Sequence, residues 1–145
     1  MGNEKDIEIE CKFDPPPLIP EQKYEVGFVR AEIVKNLWGR KKIFLYFQVL
    51  QSGEYFGVIL FLAMNLPSDG RFSESSKFLQ QWTLASGALP KRRDRLSTKV
   101  FRGKVFVGEV RTVKKIAHSS GRLKERESSS FYSVIDQLVE VRAGR

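Results

Sequence analysis

Apolar and polar residues alternate over several short stretches of the chain, in the pattern typical of β-strands. Tyr24–Lys35, rich in Val, Ile and Phe, predicts the first strand, and a turn centred on Gly39 follows. Ile43–Leu50 predicts a second strand, and Tyr55–Leu66, apolar on both faces at its centre, predicts a third. The short connections between these strands predict antiparallel pairing.

The second predicted strand has two distinct faces. One face carries Ile43, Leu45, Phe47 and Val49. The other carries Phe44, Tyr46 and Gln48. The pattern alone does not say which face points outward, so Phe44 and Tyr46 are equally consistent with a core position and with a binding surface.

The period then changes from that of a strand to that of a helix. A cap at Ser73 or Ser75 predicts a helix running to about Ser86, and Gly87 fits its C-terminal cap. The helix has one apolar stripe, formed by Phe78, Trp82 and Ala85. This position predicts that Trp82 is packed against the core.

Two further strands complete the pattern. Lys104–Val113 predicts the fourth, Lys114–Ser130 a polar loop, and Phe131–Val141 the fifth. The order β-β-β-α-β-β predicts a mainly β fold, a five-stranded OB-fold barrel with one helix. Another small barrel, or a sandwich with one strand missed, is the alternative. Residues 1–21 are expected to form a flexible, acidic, Pro-rich arm, and residues 22–145 the folded domain.

Charge is distributed unevenly along this order. The chain carries a net charge of +8 with a pI near 9.7. Residues 1–25 hold seven acidic and three basic side chains, net −4, whereas residues 26–145 hold ten acidic and twenty-two basic, net +12. A basic domain of this kind favours a polyanionic partner.

Several of the cations lie in the two loops that flank the ligand face of an OB-fold. The first loop has Trp38 at its tip and four cations, Lys35, Arg40, Lys41 and Lys42. The second loop carries Lys114, Lys115, Arg122, Lys124 and Arg126, with two acids among them. Cations neutralise phosphates and aromatic rings stack bases, so these loops, with Tyr46 between them, predict a site for single-stranded nucleic acid.

Other aromatic and basic residues have competing interpretations. Phe47 and Phe61 are expected in the core. A dense basic cluster follows the helix and is equally consistent with a solvated linker and with a phosphate clamp; it contains Lys91, Arg92, Arg93 and Arg95. The second loop is almost as well explained by disorder as by binding.

Signatures of catalysis are lacking in the sequence. It has no glycine-rich phosphate motif, one cysteine (Cys11) and one histidine (His118) in the polar loop, so we expect no enzyme activity, metal or cofactor. Glu32 and Lys35 match a nuclease spacing only in part, because no partner acid is evident. The polar N-terminus and the short apolar run Val58–Met64 predict neither signal peptide nor membrane span, and hence a cytoplasmic protein.

Three segments together resemble phage- and plasmid-type OB-fold single-stranded DNA-binding proteins: Tyr24–Leu66, Phe101–Val113 with a Gly-Lys entering the fourth strand, and Tyr132-Ser-Val-Ile-Asp136. The resemblance covers roughly residues 22–142. It implies weakly sequence-selective binding of single-stranded DNA in replication, recombination or transfer of a mobile element. It also implies a homo-oligomer, protein partners from those processes, and DNA contacts from Trp38, Tyr46 and the basic loops.

One departure from the family pattern concerns the acidic tail. Many bacterial members end in an acidic tail, whereas this chain has its acidic segment at the N-terminus. We hypothesise that this segment competes with DNA for the basic groove or bridges to a neighbouring subunit. Two other functions stay open, namely a protein-interaction OB module that docks on a nucleic-acid-processing complex, and an RNA binder.

Overall fold

The computed structural model describes residues 17–114 and 131–143, and within them the apolar alternation produces five strands and one α-helix. The strands are β1 Lys23–Lys35, β2 Lys41–Val49, β3 Ile59–Asn65, β4 Val105–Lys114 and β5 Phe131–Ala143. The helix α1, Lys77–Ser86, lies between β3 and β4, and a short 3-10 helix, Thr98–Phe101, precedes β4. This element order confirms the predicted mainly β class with one helix.

The strands form one antiparallel sheet in the order β3-β2-β1-β4-β5. In the described part of the chain, its hydrogen-bonded ladder ends at β3 on one side and β5 on the other, so backbone pairing does not close the sheet. The sheet curls nevertheless. The ring centroids of Phe61 on β3 and Tyr132 on β5 lie 6.1 Å apart, which brings the two edge strands together.

The concave side of the curled sheet holds the core. On β2 the residues Ile43, Leu45, Phe47 and Val49 are all buried there, which identifies the inner of two faces that the sequence leaves open and confirms the core position predicted for Phe47. Phe101 from the 3-10 helix fills the centre of this core. Its ring packs within 5.8–6.4 Å of four other rings, those of Phe28, Phe47, Phe78 and Phe106.

Helix α1 covers the free edge of β5 through a buried glutamine. The side chain of Gln81 donates from Nε2 to the carbonyl of Leu138 (3.2 Å) and accepts from the Leu138 amide at Oε1 (2.6 Å). It therefore satisfies backbone groups that a sixth strand would otherwise pair. Trp82 is half-buried against the core, as predicted, and its Nε1 donates to the Ser97 carbonyl (3.0 Å).

Two elements begin later than the sequence pattern predicts. β3 starts at Ile59, because Tyr55 and Gly57 lie in a tight turn: Gly57 adopts φ 87° and its amide donates to the Val49 carbonyl (2.8 Å). This left-handed conformation favours glycine and interrupts the apolar run. The N-cap of α1 is Ser76, whose Oγ accepts from the Leu79 amide (3.3 Å).

The chain packs against the sheet from Ile19 onward, before the domain boundary that the sequence predicts. Ile19 is buried, its amide donates to Ser133 Oγ (2.8 Å), and the Ser133 hydroxyl donates back to the Ile19 carbonyl (3.1 Å). The Tyr24 hydroxyl donates to the Pro20 carbonyl (2.8 Å). Across residues 17–114 and 131–143, no helix combines the length and the apolar character that crossing a membrane requires.

Candidate nucleic-acid interface

Residues 29–42, here called the hairpin ribbon, extend beyond the part of the sheet in which β1 pairs with β4. β1 pairs with β4 only over Lys23–Gly27, and from Arg30 to Lys35 its sole described partner is β2. The pairing register shifts between Phe28 and Arg30, which marks a β-bulge at Val29. Every residue of the hairpin ribbon is exposed, so both of its faces are open to a ligand.

The tip of the hairpin ribbon is held in one shape by Asn36. Its side-chain Oδ1 accepts from the backbone amides of Trp38 and Arg40 (2.9 Å each), and its backbone amide donates to the Arg40 carbonyl (2.8 Å). Gly39 closes the turn with φ 82°. The result presents Trp38 with 83% of its surface exposed, at the loop tip where the sequence places it.

The hairpin ribbon is strongly basic. It holds five cations and one acid, net +4. Four of the cations are predicted site residues, and none of the four forms an ion pair with a described residue: Lys35, Arg40, Lys41 and Lys42. Their charge is therefore not neutralised by the described part of the protein.

An aromatic cluster lies on the convex side of β2 and β3. We call it the outer aromatic cluster; it consists of Phe44, Tyr46, Phe61 and Tyr132. The Phe61 ring is at its centre, 5.2 Å from Phe44, 6.1 Å from Tyr46 and 6.1 Å from Tyr132 between ring centroids. Since Leu60, Leu62 and Met64 fill the core, the intervening side chain of Phe61 points to the opposite face.

This arrangement answers one open question and refines one expectation, because Phe61 is buried as predicted but on the outer face. Phe44 and Tyr46 are half-buried on the outer face, not in the core. Phe47 is in the core, as predicted. Phe61 is buried at 8% exposure, but the rings of the outer aromatic cluster cover it, because it belongs to the face opposite the core.

Tyr46 joins the outer aromatic cluster to the hairpin ribbon. The Arg30 guanidinium carbon lies 3.9 Å from the centroid of the Tyr46 ring, within cation–π range. The Tyr46 hydroxyl donates to Glu32 Oε1 (3.1 Å), and Arg30 forms an ion pair with that same oxygen (3.8 Å). Burial, reinforced by Glu32, raises the pKa of the Tyr46 hydroxyl above its ordinary value of 10.0.

In the basic cluster that follows α1, two arginines form ion pairs with nearby acidic residues. Arg92 forms a bidentate pair with Asp94 (3.1 and 2.9 Å), and Arg93 pairs with Glu74 (3.5 Å). Lys91 is exposed. The hydrogen bond from Arg92 lowers the pKa of the Asp94 carboxyl, and that same contact raises the pKa of Arg92. None of the described contacts of Arg92 or Arg93 reaches the hairpin ribbon or the outer aromatic cluster.

The second predicted loop is described only at its base. Lys114 is exposed at the end of β4, where it pairs in register with Phe131 at the start of β5. Lys115, Arg122 and Lys124 lie outside the described residues. Tyr132, one residue beyond the base, is part of the outer aromatic cluster.

Three residues of this surface were not selected from the sequence as binding residues: Arg30, Phe61 and Tyr132. Arg30 can be placed from the strand pairing: it stands opposite Tyr46, and Tyr46 stands opposite Phe61, so the three residues share one face of the sheet. Because β3 is apolar on both faces, its sequence does not show that Phe61 lies on the outer face. Tyr132 could be placed only once β5 was known to approach β3.

Comparison with known proteins adds no family to this description. No protein-family model and no curated protein matches the chain. Among residues 17–114 and 131–143, no group of three or more His, Cys, Asp or Glu side chains lies close enough to hold a metal ion.

Proposed function

We propose that this chain is an OB-fold protein that binds single-stranded DNA with little sequence preference and catalyses no reaction. The fold part of the proposal is supported by the strand order, by the approach of β3 to β5 at Phe61 and Tyr132, and by the helix between β3 and β4. These features match a partly open five-stranded Greek-key barrel. A cytoplasmic role in replication, recombination or transfer of a mobile element belongs to the same proposal.

The observation that carries the proposal is the outer aromatic cluster beside the hairpin ribbon. Exposed single strands offer bases that stack on aromatic faces, at about 1–3 kcal/mol per base. They also offer phosphates, which the cations of the hairpin ribbon would neutralise with release of counterions. A surface with stacking rings on one side and four cations lacking a described acidic partner on the other combines both requirements.

Trp38 supplies a direct readout for the test. It is exposed at the ribbon tip, whereas Trp82, the other tryptophan, is half-buried and hydrogen-bonded to Ser97. Titration with oligo-dT should quench the tryptophan fluorescence, and Trp38→Phe should abolish most of the quenching. Trp82→Phe is the matched control and should leave the quenching in place.

Salt dependence tests the role of the cations. If all four contact phosphates, the slope of log K against log salt should be about −3, at about −0.7 per contact for single strands. Lys41→Ala should reduce that slope by roughly one contact. Lys99→Ala, which removes an exposed cation from the 3-10 helix, should leave the slope unchanged. Absence of binding to DNA at moderate salt would overturn the proposal.

RNA binding is tested in the same titration, with an RNA strand of equal length. Tighter binding of the RNA would favour the RNA-binding alternative over the DNA proposal, because the 2′-hydroxyl is what distinguishes the two strands at one site.

A second candidate function is a protein-interaction module or a homo-oligomer. It is favoured by apolar residues on the hairpin ribbon that have no cover from the described chain: Ile33 is 59% and Leu37 95% exposed. Sedimentation at increasing protein concentration tests self-association. If Leu37→Ser abolishes association and no DNA binding is measurable, this candidate replaces the first.

A further inference from the structure

Glu32 is an acidic residue in the middle of an otherwise basic surface. It is the sole acid of the hairpin ribbon, and it stands opposite Phe44 in the β1–β2 register. Its carboxylate reaches the Tyr46 hydroxyl (3.1 Å) and remains 51% exposed. An acid at this position opposes phosphate binding, so its contribution to a nucleic-acid site would come through a group other than phosphate.

One oxygen of the Glu32 carboxylate is hydrogen-bonded within the described chain and the other is not. Oε1 accepts from Tyr46 and faces Arg30. Within the described residues, nothing hydrogen-bonds Oε2. Arg30 and Tyr46 hold the group in place, because an anchored oxygen restricts the rotation of the side chain. An oriented, exposed acceptor opposite the half-buried Phe44 ring is suited to a donor that arrives with a stacked ligand.

A base that lies on Phe44, which stands opposite Glu32 in the β1–β2 register, would bring its edge next to this acceptor. Cytosine, adenine and guanine carry amino groups that donate hydrogen bonds, and carboxylates pair with such groups, as in Glu or Asp to cytosine N4. Thymine and uracil offer a single ring N–H between two carbonyl oxygens, and these oxygens are repelled by a carboxylate.

We propose that Glu32 reads the edge of a base stacked on the outer aromatic cluster and favours amino-bearing bases over thymine and uracil. This inference rests on the proposed function. It changes that proposal in one respect: the interface would prefer strands rich in amino-bearing bases, without recognising a particular order of bases.

The test compares two homopolymers on the full chain. Dissociation constants for oligo-dC and oligo-dT of equal length, about 20 nucleotides and so longer than the roughly 4–16 that one OB-fold covers, are measured above neutral pH, where cytosine is unprotonated. The informative quantity is the ratio of the two constants. A general electrostatic gain from removing an acid cancels in this ratio.

Glu32→Gln and Glu32→Ala should each lower the preference for oligo-dC by about 5- to 10-fold, as expected for one lost base contact. Glu140→Gln is the matched control: it also removes an exposed acid, one that pairs with Arg142 on β5, and should leave the ratio unchanged. An unaltered ratio in both Glu32 variants, with binding retained, overturns the inference alone. No binding of either strand by the wild type overturns the inference together with the proposed function.

Discussion

The ring of Phe61 on β3 packs 6.1 Å from the ring of Tyr132 on β5, although these strands form opposite edges of the hydrogen-bonded sheet. The same Phe61 ring contacts Phe44 and Tyr46 on β2. One side chain therefore connects the curl of the sheet with the surface proposed to stack bases. We therefore expect variants of Phe61 to affect both the stability of the fold and the proposed binding.

Replacing Phe61 with Ala should lower the free energy of unfolding by about 2–4 kcal/mol, because the ring is 8% exposed and contacts three others. Urea denaturation measures the change. Phe56→Ala is the control, since Phe56 is 60% exposed, and should change the free energy of unfolding by less than about 0.5 kcal/mol. Equal effects of the two substitutions would contradict the buried outer aromatic cluster.

Gln81 should be essential to the β5 edge. Replacing it with Leu preserves volume but leaves the buried Leu138 amide and carbonyl without their side-chain partner. Loss of both bonds should cost about 2–4 kcal/mol of unfolding free energy, as measured by urea denaturation. Gln80→Leu, on the exposed side of α1, should have little effect. A Gln81→Leu variant as stable as the wild type would show that the edge is satisfied in another way.

The sequence predicted those parts of the fold that depend on local pattern. The alternation of β2 from Ile43 to Val49 separates its two faces, although it does not say which of them is buried, and the end of α1 follows from Gly87. The turn at Gly57 was missed, because Tyr55 and Phe56 continue the apolar run of β3 and only the positive φ interrupts it. Gln81 was missed because nothing in its helical position distinguishes a buried amide from an exposed one.

The candidate site divides in the same way. Trp38 and the four cations around the turn could be predicted, namely Lys35, Arg40, Lys41 and Lys42, since a Gly-containing turn between two strands is a local signal. The outer aromatic cluster could not, because it depends on β3 approaching β5, which brings Phe61 to Tyr132 over a separation of seventy-one residues. The periodicity of each strand predicts its two faces, but it does not predict which distant strand will pack beside it.

Stability should fall above pH 10 because two tyrosines resist ionisation. Burial raises the pKa of the Tyr24 hydroxyl, and burial together with Glu32 raises that of Tyr46, each from an ordinary value of 10.0. Above pH 10.0 the unfolded chain releases protons that the folded chain keeps, so the unfolding free energy is unaffected below that value and decreases above it. Urea denaturation from neutral pH to about pH 11 measures this. The Tyr24→Phe and Tyr46→Phe variants should each show a shallower decrease, and a wild-type profile that stays flat would contradict the prediction.

Removing residues 1–16 should tighten DNA binding if the N-terminal acidic segment competes with DNA. That segment holds five acidic and two basic side chains, net −3, and the described chain that follows it is fixed to β5 through Ile19 and Ser133, next to Tyr132. The attachment point is on the core side of β5, one residue along the strand from Tyr132. The truncation must keep Ile19, because deleting residues 1–20 would also remove a buried side chain and lower stability. Dissociation constants of the full chain and the truncated chain should differ at low salt and converge at high salt, where screening weakens the interaction of acidic and basic groups. Equal affinities at low salt would exclude competition and leave the bridging role for the segment.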